Sequence, residues 1–142
     1  MLMKKLVIVN WGSSEQGKSS SLKQVFARLS KYPHLIMINN GDIKAIVNID
    51  GVKVGVESQG DPNSRMFASL DDFVNEGCDI IVCASRCWGA TVDKVSSLKQ
   101  YGYEILWTQN DRTENSSLHA QLNSLYAEWV EQIIINRISG KL

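Results

Sequence analysis

The sequence predicts an α/β domain built on a mostly parallel sheet of about five strands. Three observations predict it. Short β-branched runs alternate along the chain with segments of helical spacing. The first run, residues 5–10 (Lys-Leu-Val-Ile-Val-Asn), is apolar without alternation, the pattern of a strand buried on both faces of a parallel sheet. Asp50-Gly51 stands between two alternating runs, residues 45–49 and 52–56. Asp-Gly at that position is a hairpin signal, because glycine tolerates the positive φ of a type I′ turn. One antiparallel hairpin is therefore expected within the parallel sheet.

The other elements follow in order. Residues 18–30 place Leu22, Val25, Phe26 and Leu29 on one helical face, and Pro33 ends that helix. Residues 34–39 form a second apolar run, closed by Asn39-Asn40-Gly41. Gly60, Asp61, Pro62 and Asn63 mark residues 58–65 as a loop. Ser69 with Asp72 three residues on reads as a capping box, and Gly77 closes that helix. Residues 79–85 are the next strand. Thr91 then caps a helix that turns Val92, Val95 and Leu98 inward and stops at Gly102. Residues 103–108 are the last strand. From residue 117, Leu118, Leu122, Leu125, Trp129, Ile133 and Ile138 form a stripe near helical spacing. No repeat or linker divides the 142 residues, so a single domain is expected.

Composition narrows the function classes. Lys plus Arg and Asp plus Glu are 15 each, so the formal net charge is zero. Nucleic-acid affinity comes largely from Lys and Arg on phosphates, and no strong signal for it is present. No apolar run reaches the roughly 18 residues of a membrane span, and no secretory leader is apparent. A cytoplasmic location is expected. Cys78, Cys83 and Cys87 match no common zinc spacing and read as ordinary reduced cysteines. A protein partner or a homodimer is compatible with the sequence.

Chemistry concentrates in Gly12-Ser13-Ser14-Glu15-Gln16-Gly17-Lys18-Ser19, which fits G-x-x-x-x-G-K-[ST] at every fixed position. The glycines let backbone N–H groups turn inward around phosphate oxygens. The helix starting near Lys18 adds the positive end of its dipole. Lys18 is expected to reach the β- and γ-phosphates as a point charge, and Ser19 to place its hydroxyl on Mg²⁺. The expected nucleotide-binding set is Gly12, Ser13, Ser14, Glu15, Gln16, Gly17, Lys18, Ser19 and Ser20. A buried strand before the motif and an amphipathic helix after it supply the context it requires.

With this motif in this context, the sequence resembles the P-loop NTPase superfamily. The resemblance is specific over residues 5–30 and looser beyond. It implies a three-layer α/β/α sandwich that binds a nucleoside triphosphate, ATP or GTP, with Mg²⁺. It also implies a second acidic site at a strand end near the first strand. Glu57, directly after residues 52–56, is the first candidate for metal binding and for the general base; Asp61 is the second metal candidate.

Two branches of the superfamily compete. Glu57 with Gly60 three residues on is similar to the D-x-x-G loop of small GTPases. Thr108-Gln109-Asn110-Asp111 is similar to a degraded N-K-x-D, in which Asp111 would read a guanine edge. Against that branch, no threonine occurs between Ser30 and Asp61 to serve as the switch threonine. The kinase-like, ATP-binding branch is favoured, with hydrolysis or phosphoryl transfer to an acceptor. Arginines near the strand ends then matter. Arg86 is the expected catalytic one, with Arg65 and Arg112 also near the rim. A nucleotide-binding module with little turnover is the further alternative.

Overall fold

The computed structural model describes residues 3–12, 17–110 and 115–142. The elements are β1 (Leu6–Trp11), α1 (Lys18–Leu29), β2 (His34–Asn39), β3 (Ile43–Ile49), β4 (Val52–Glu57), α2 (Met66–Asn75), β5 (Ile80–Ser85), α3 (Ala90–Ser97), β6 (Glu104–Thr108) and α4 (His119–Ile138). Short 3₁₀ turns follow α3 and precede α4. Among the described residues, no helix is long and apolar enough to cross a membrane.

The strands form one six-stranded sheet in the order β2-β3-β4-β5-β1-β6. β1 pairs in parallel with β5 and β6, and β4 pairs in parallel with β5. β3 is antiparallel to both β2 and β4. The sheet is therefore mixed, with an antiparallel meander at one side rather than a single hairpin. The expectation of about five mostly parallel strands is corrected accordingly. β2 joins β3 through the tight Asn40–Asp42 connection, too short for the crossover that parallel pairing needs.

Side-chain alternation divides the core in two. Leu6 and Ile8 of β1 and Ile80 and Val82 of β5 pack with Leu22, Val25 and Leu29 of α1 and Tyr126, Val130 and Ile134 of α4. Val7, Val9, Ile81 and Cys83 point the other way, onto Met66, Leu70 and Phe73 of α2 and Val95 and Leu98 near α3. Helices thus cover both faces, and β1 is apolar from Leu6 to Val9 because neither face meets water. The Asp50-Gly51 turn has φ of 53° and 87°, the positive pair a type I′ turn requires.

Three helix details differ from the sequence reading. α2 opens at Met66, not at Ser69, and Ser69 is buried inside it. Gly89 occupies the N-cap of α3, while the Thr91 hydroxyl accepts the Arg86 N–H at 3.0 Å. In α4 the buried face is Asn123, Tyr126, Ala127, Val130, Ile134 and Arg137, whereas Leu125 and Trp129 are exposed. Hydrogen bonds permit that choice. Asn110 donates to Asn123, and Arg137 donates to Lys4 O and Glu104, so the two polar residues enter the interior satisfied.

Candidate functional site

Lys18 and Ser19 begin α1, and Gly12 is the residue that follows the end of β1. Gly17 stands at the N-cap with φ 74°, a left-handed conformation that favours glycine. A Cβ there would also lie 3.0 Å from Asn123 Oδ1. Lys18 is buried, and its ammonium donates to Gly12 O at 2.6 Å. Burial lowers its pKa and the nearby Arg86 charge lowers it further, with Asp61 and Cys87 acting in the opposite direction. Ser13, Ser14, Glu15, Gln16 and Asp111 lie outside the described residues. Ser20 is exposed on the first turn of α1.

Lys18 and Ser19 line a cleft shared with Asp42, Ser58, Gln59, Gly60 and Asp61. Its central contact is one the sequence reading missed. Ser19 Oγ donates to Asp42 Oδ1 at 2.5 Å, and Ser58 Oγ donates to the same oxygen at 2.7 Å. Sheet geometry holds this pair in place. Ile43 N–H donates to Ser58 Oγ and Ser58 N–H donates to Ile43 O, which ties the start of β3 to the end of β4 beside Asp42. Burial pulls the Asp42 pKa upward, but the Ser19 and Ser58 hydroxyls and the Lys23 charge outweigh it and leave it below the usual carboxylate value. The group is therefore an anion at neutral pH.

Glu57 lies elsewhere. Val54 and Val56 of β4 face α1 and α4, so the alternation of the strand sends Glu57 toward α2. There it is fully buried. Arg65 Nε donates to its Oε1 at 2.8 Å and Arg65 Nη2 to its Oε2 at 3.1 Å. Ser69 Oγ and the Gln59 N–H add two more bonds, at 2.5 Å and 3.1 Å. Nor is β4 beside β1, as the sequence reading expected, because β5 lies between them. These contacts correct the placement of Glu57 as a base or metal group facing Ser19. Ser58, one residue on, is the side chain that returns to the cleft.

Asp61 lines the cleft, is mostly exposed and pairs with Arg86 at 3.0 Å. Arg86 and Arg65 line the adjoining depression with Asn40. Gly60 packs on the end of β5, where a Cβ would meet the Ala84 Cβ at 2.7 Å. A steric need thus accounts for this glycine. Beneath the cleft runs a buried polar network. Asn10 Nδ2 donates to Ser21 Oγ at 2.9 Å and to Asn110 Oδ1 at 2.5 Å, which links β1, α1 and the segment after β6. Asn10 Oδ1 is buried with no partner among the described residues.

Of Thr108-Gln109-Asn110-Asp111, Thr108 and Asn110 are turned into the interior. Thr108 Oγ1 donates to Val9 O and shares a hydrogen bond with Tyr126 Oη, while Asn110 joins the network. Trp88 is 81% exposed, and the Trp11 indole donates to Cys87 O. Cys78 and Cys83 are buried free thiols, and burial pushes Cys78 up to about 12, which suits reduced structural cysteines.

The side chains at the cleft, Ser19, Asp42, Ser58 and Asp61, offer oxygen donors. Among the described residues, no three His, Cys, Asp or Glu side chains converge on one point. A hydroxyl and one or two carboxylates beside a lysine make a sparse oxygen set of the kind Mg²⁺ accepts. Comparisons with family models, curated proteins and solved structures find no match.

Proposed function

We propose that the chain is a P-loop NTPase that binds a nucleoside triphosphate with Mg²⁺ and hydrolyses it or transfers its terminal phosphoryl group to an acceptor. One observation carries this reading. Lys18 and Ser19, fixed positions of the phosphate-binding motif, share one cleft with two carboxylates, Asp42 and Asp61, at the carboxyl-end rim of the sheet. Ligands of open α/β sheets bind at that rim.

In this reading Lys18 exchanges its bond to Gly12 O for phosphate oxygens. The Ser19 hydroxyl and Asp42 hold the metal, directly or through water, and Asp61 faces the same space. When bound, Mg²⁺ neutralises charge on the phosphates. Arg86, now paired with Asp61, is a half-buried cation beside the cleft, placed to meet charge developing during transfer. ATP is the expected nucleotide. Thr108 occupies the Asn position of N-K-x-D and is bonded into the core, and no switch threonine is present.

A binding module with little turnover is the second reading. The observation favouring it is Glu57, the expected base, which is held by Arg65 and Ser69 inside the protein.

Calorimetric titration with Mg·ATP and Mg·GTP tests the proposal. Lys18→Ala should weaken ATP binding by about 1.5–3 kcal/mol, the value of a charge-assisted bond. Equal affinity of wild type and Lys18→Ala would remove the assignment. A hundredfold preference for GTP, lost in Asp111→Ala, would reverse the choice of nucleotide.

A further inference from the structure

The inward face of α4 is largely apolar, with Tyr126, Ala127, Val130 and Ile134, yet it also carries the buried amide of Asn123. A buried amide is unfavourable unless it is bonded, and an apolar side chain would serve packing alone. The contacts of Asn123 lead to the phosphate-binding motif.

Asn123 belongs to a chain of hydrogen bonds whose two ends both reach the start of α1. Ser21 Oγ donates to Lys18 O at 2.9 Å and accepts from Asn10 Nδ2 at 2.9 Å. The second hydrogen of that amide goes to Asn110 Oδ1, and Asn110 Nδ2 in turn donates to Asn123 Oδ1 at 2.5 Å. Asn123 then lies against Gly17. A Cβ at that glycine would stand 3.0 Å from Asn123 Oδ1, 3.3 Å from Nδ2 and 3.5 Å from Cγ, so the amide covers the place a side chain would take. One end of the chain holds the carbonyl of Lys18, and the other bears on the residue before it.

Two features set this arrangement apart from core filling. Its side chains are all buried and come from separate pieces of the fold: β1, α1, the segment after β6, and α4. The network also leaves Asn10 Oδ1 buried without a partner among the described residues, while both hydrogens of that amide are committed to Ser21 and Asn110. Apolar side chains would avoid that penalty. A buried polar network instead fixes one arrangement of the groups it joins.

We infer that Asn123 is a positioning residue, through which α4 holds the Gly17–Lys18 turn in the conformation that presents Lys18 and Ser19 to phosphate and metal. The inference rests on the nucleotide reading above. Asn123 acts through Gly17, whose φ of 74° sets the direction in which α1 starts, and Asn110 holds Asn123 in place. Without that support Lys18 and Ser19 would have to be ordered by the nucleotide itself, which lowers affinity.

Calorimetric titration of the full chain with Mg·ATP tests the inference, with urea unfolding on each variant to establish that it is folded. Asn123→Ala and Asn110→Ala should each weaken binding about tenfold, the order of one hydrogen bond. The double variant should lose no more than either single one, because both substitutions break the same link. Gln132→Ala, exposed on the same helix, should bind like the wild type. Should an alanine variant fail to fold, Asn123→Ser and Asn110→Ser replace it, with smaller losses in the same pattern. A purely structural role would lower the unfolding midpoint and leave the affinity of the folded protein unchanged. That result, or losses that multiply to about a hundredfold in the double variant, would overturn the inference. Absence of Mg·ATP binding by the wild type would remove the nucleotide reading and this inference with it. Binding by the wild type that both single variants share would overturn this inference alone.

Discussion

Two acidic side chains near the carboxyl-end rim of the sheet sit in contrasting surroundings. On the α2 side, Glu57 is fully buried, gripped by both arms of Arg65 and capped by Ser69. On the α1 side, Asp42 lines the cleft, accepts the hydroxyls of Ser19 and Ser58 and is also met by the Gln59 side chain, with no guanidinium closing it in. A carboxylate closed in by guanidinium is a structural anchor, because opening it strands a charge in the interior. A carboxylate held by hydroxyls at a cleft keeps its charge available to a cation, since serine oxygens can turn and accept instead of donate. The comparison teaches that position at a strand end says less about function than the face to which the side chain turns.

The largest effect should come from breaking the anchor. Glu57→Gln removes the partner of Arg65 and should destabilise the fold by about 3–5 kcal/mol, the cost of breaking a buried ion pair. Urea unfolding at neutral pH measures it. The folded fraction should still bind nucleotide. A variant of unchanged stability with turnover lost would return Glu57 to the catalytic role.

Next is the cleft. Asp42→Asn keeps the shape and most of the hydrogen bonding but loses the charge. Metal affinity in the presence of a non-hydrolysable triphosphate should fall about tenfold to hundredfold, the usual cost of removing a group that orients a metal ligand. Titration with Mn²⁺ followed by electron paramagnetic resonance reads this without turnover. Undiminished Mn²⁺ affinity would leave Asp42 as a loop anchor only.

The smallest effect reads Asp42 by pH. The folded pKa of Asp42 lies below its unfolded value of about 3.9. Its contribution to stability is therefore present above the unfolded pKa and is lost as pH falls through the folded one. Wild type and Asp42→Asn should differ in unfolding midpoint at pH 6 and converge as pH drops below about 4. A difference that persists or grows in acid would contradict the hydroxyl-held anion.

Local pattern was enough for much of this protein. The apolar run of β1, the start of α1 at Lys18, the Asp50-Gly51 turn and the spacing from Gly12 to Ser19 follow from steric and periodic rules that act within a few residues. All six strand segments lay in the sequence as separate apolar runs. The even spacing of Val52, Val54 and Val56 also carried the signal that Glu57 faces the opposite way, had the period of two been extended one residue.

Other features depended on tertiary structure. β3 pairs with β4 and brings the β2–β3 connection beside the start of α1, so Asp42, and not Glu57 at the end of β4, meets Ser19. The α4 face was set by partners distant in sequence, which made Asn123 and Arg137 acceptable inside and left Leu125 and Trp129 outside. The exposure of β2 likewise follows from its place at the edge, since the same apolar run in the middle of the sheet would be a core strand. The physical reason is common to all three. Periodicity and turn chemistry act between near neighbours, whereas strand order, burial and the pairing of charges are settled by residues 13 to 133 positions apart, and no local pattern encodes which of them meet.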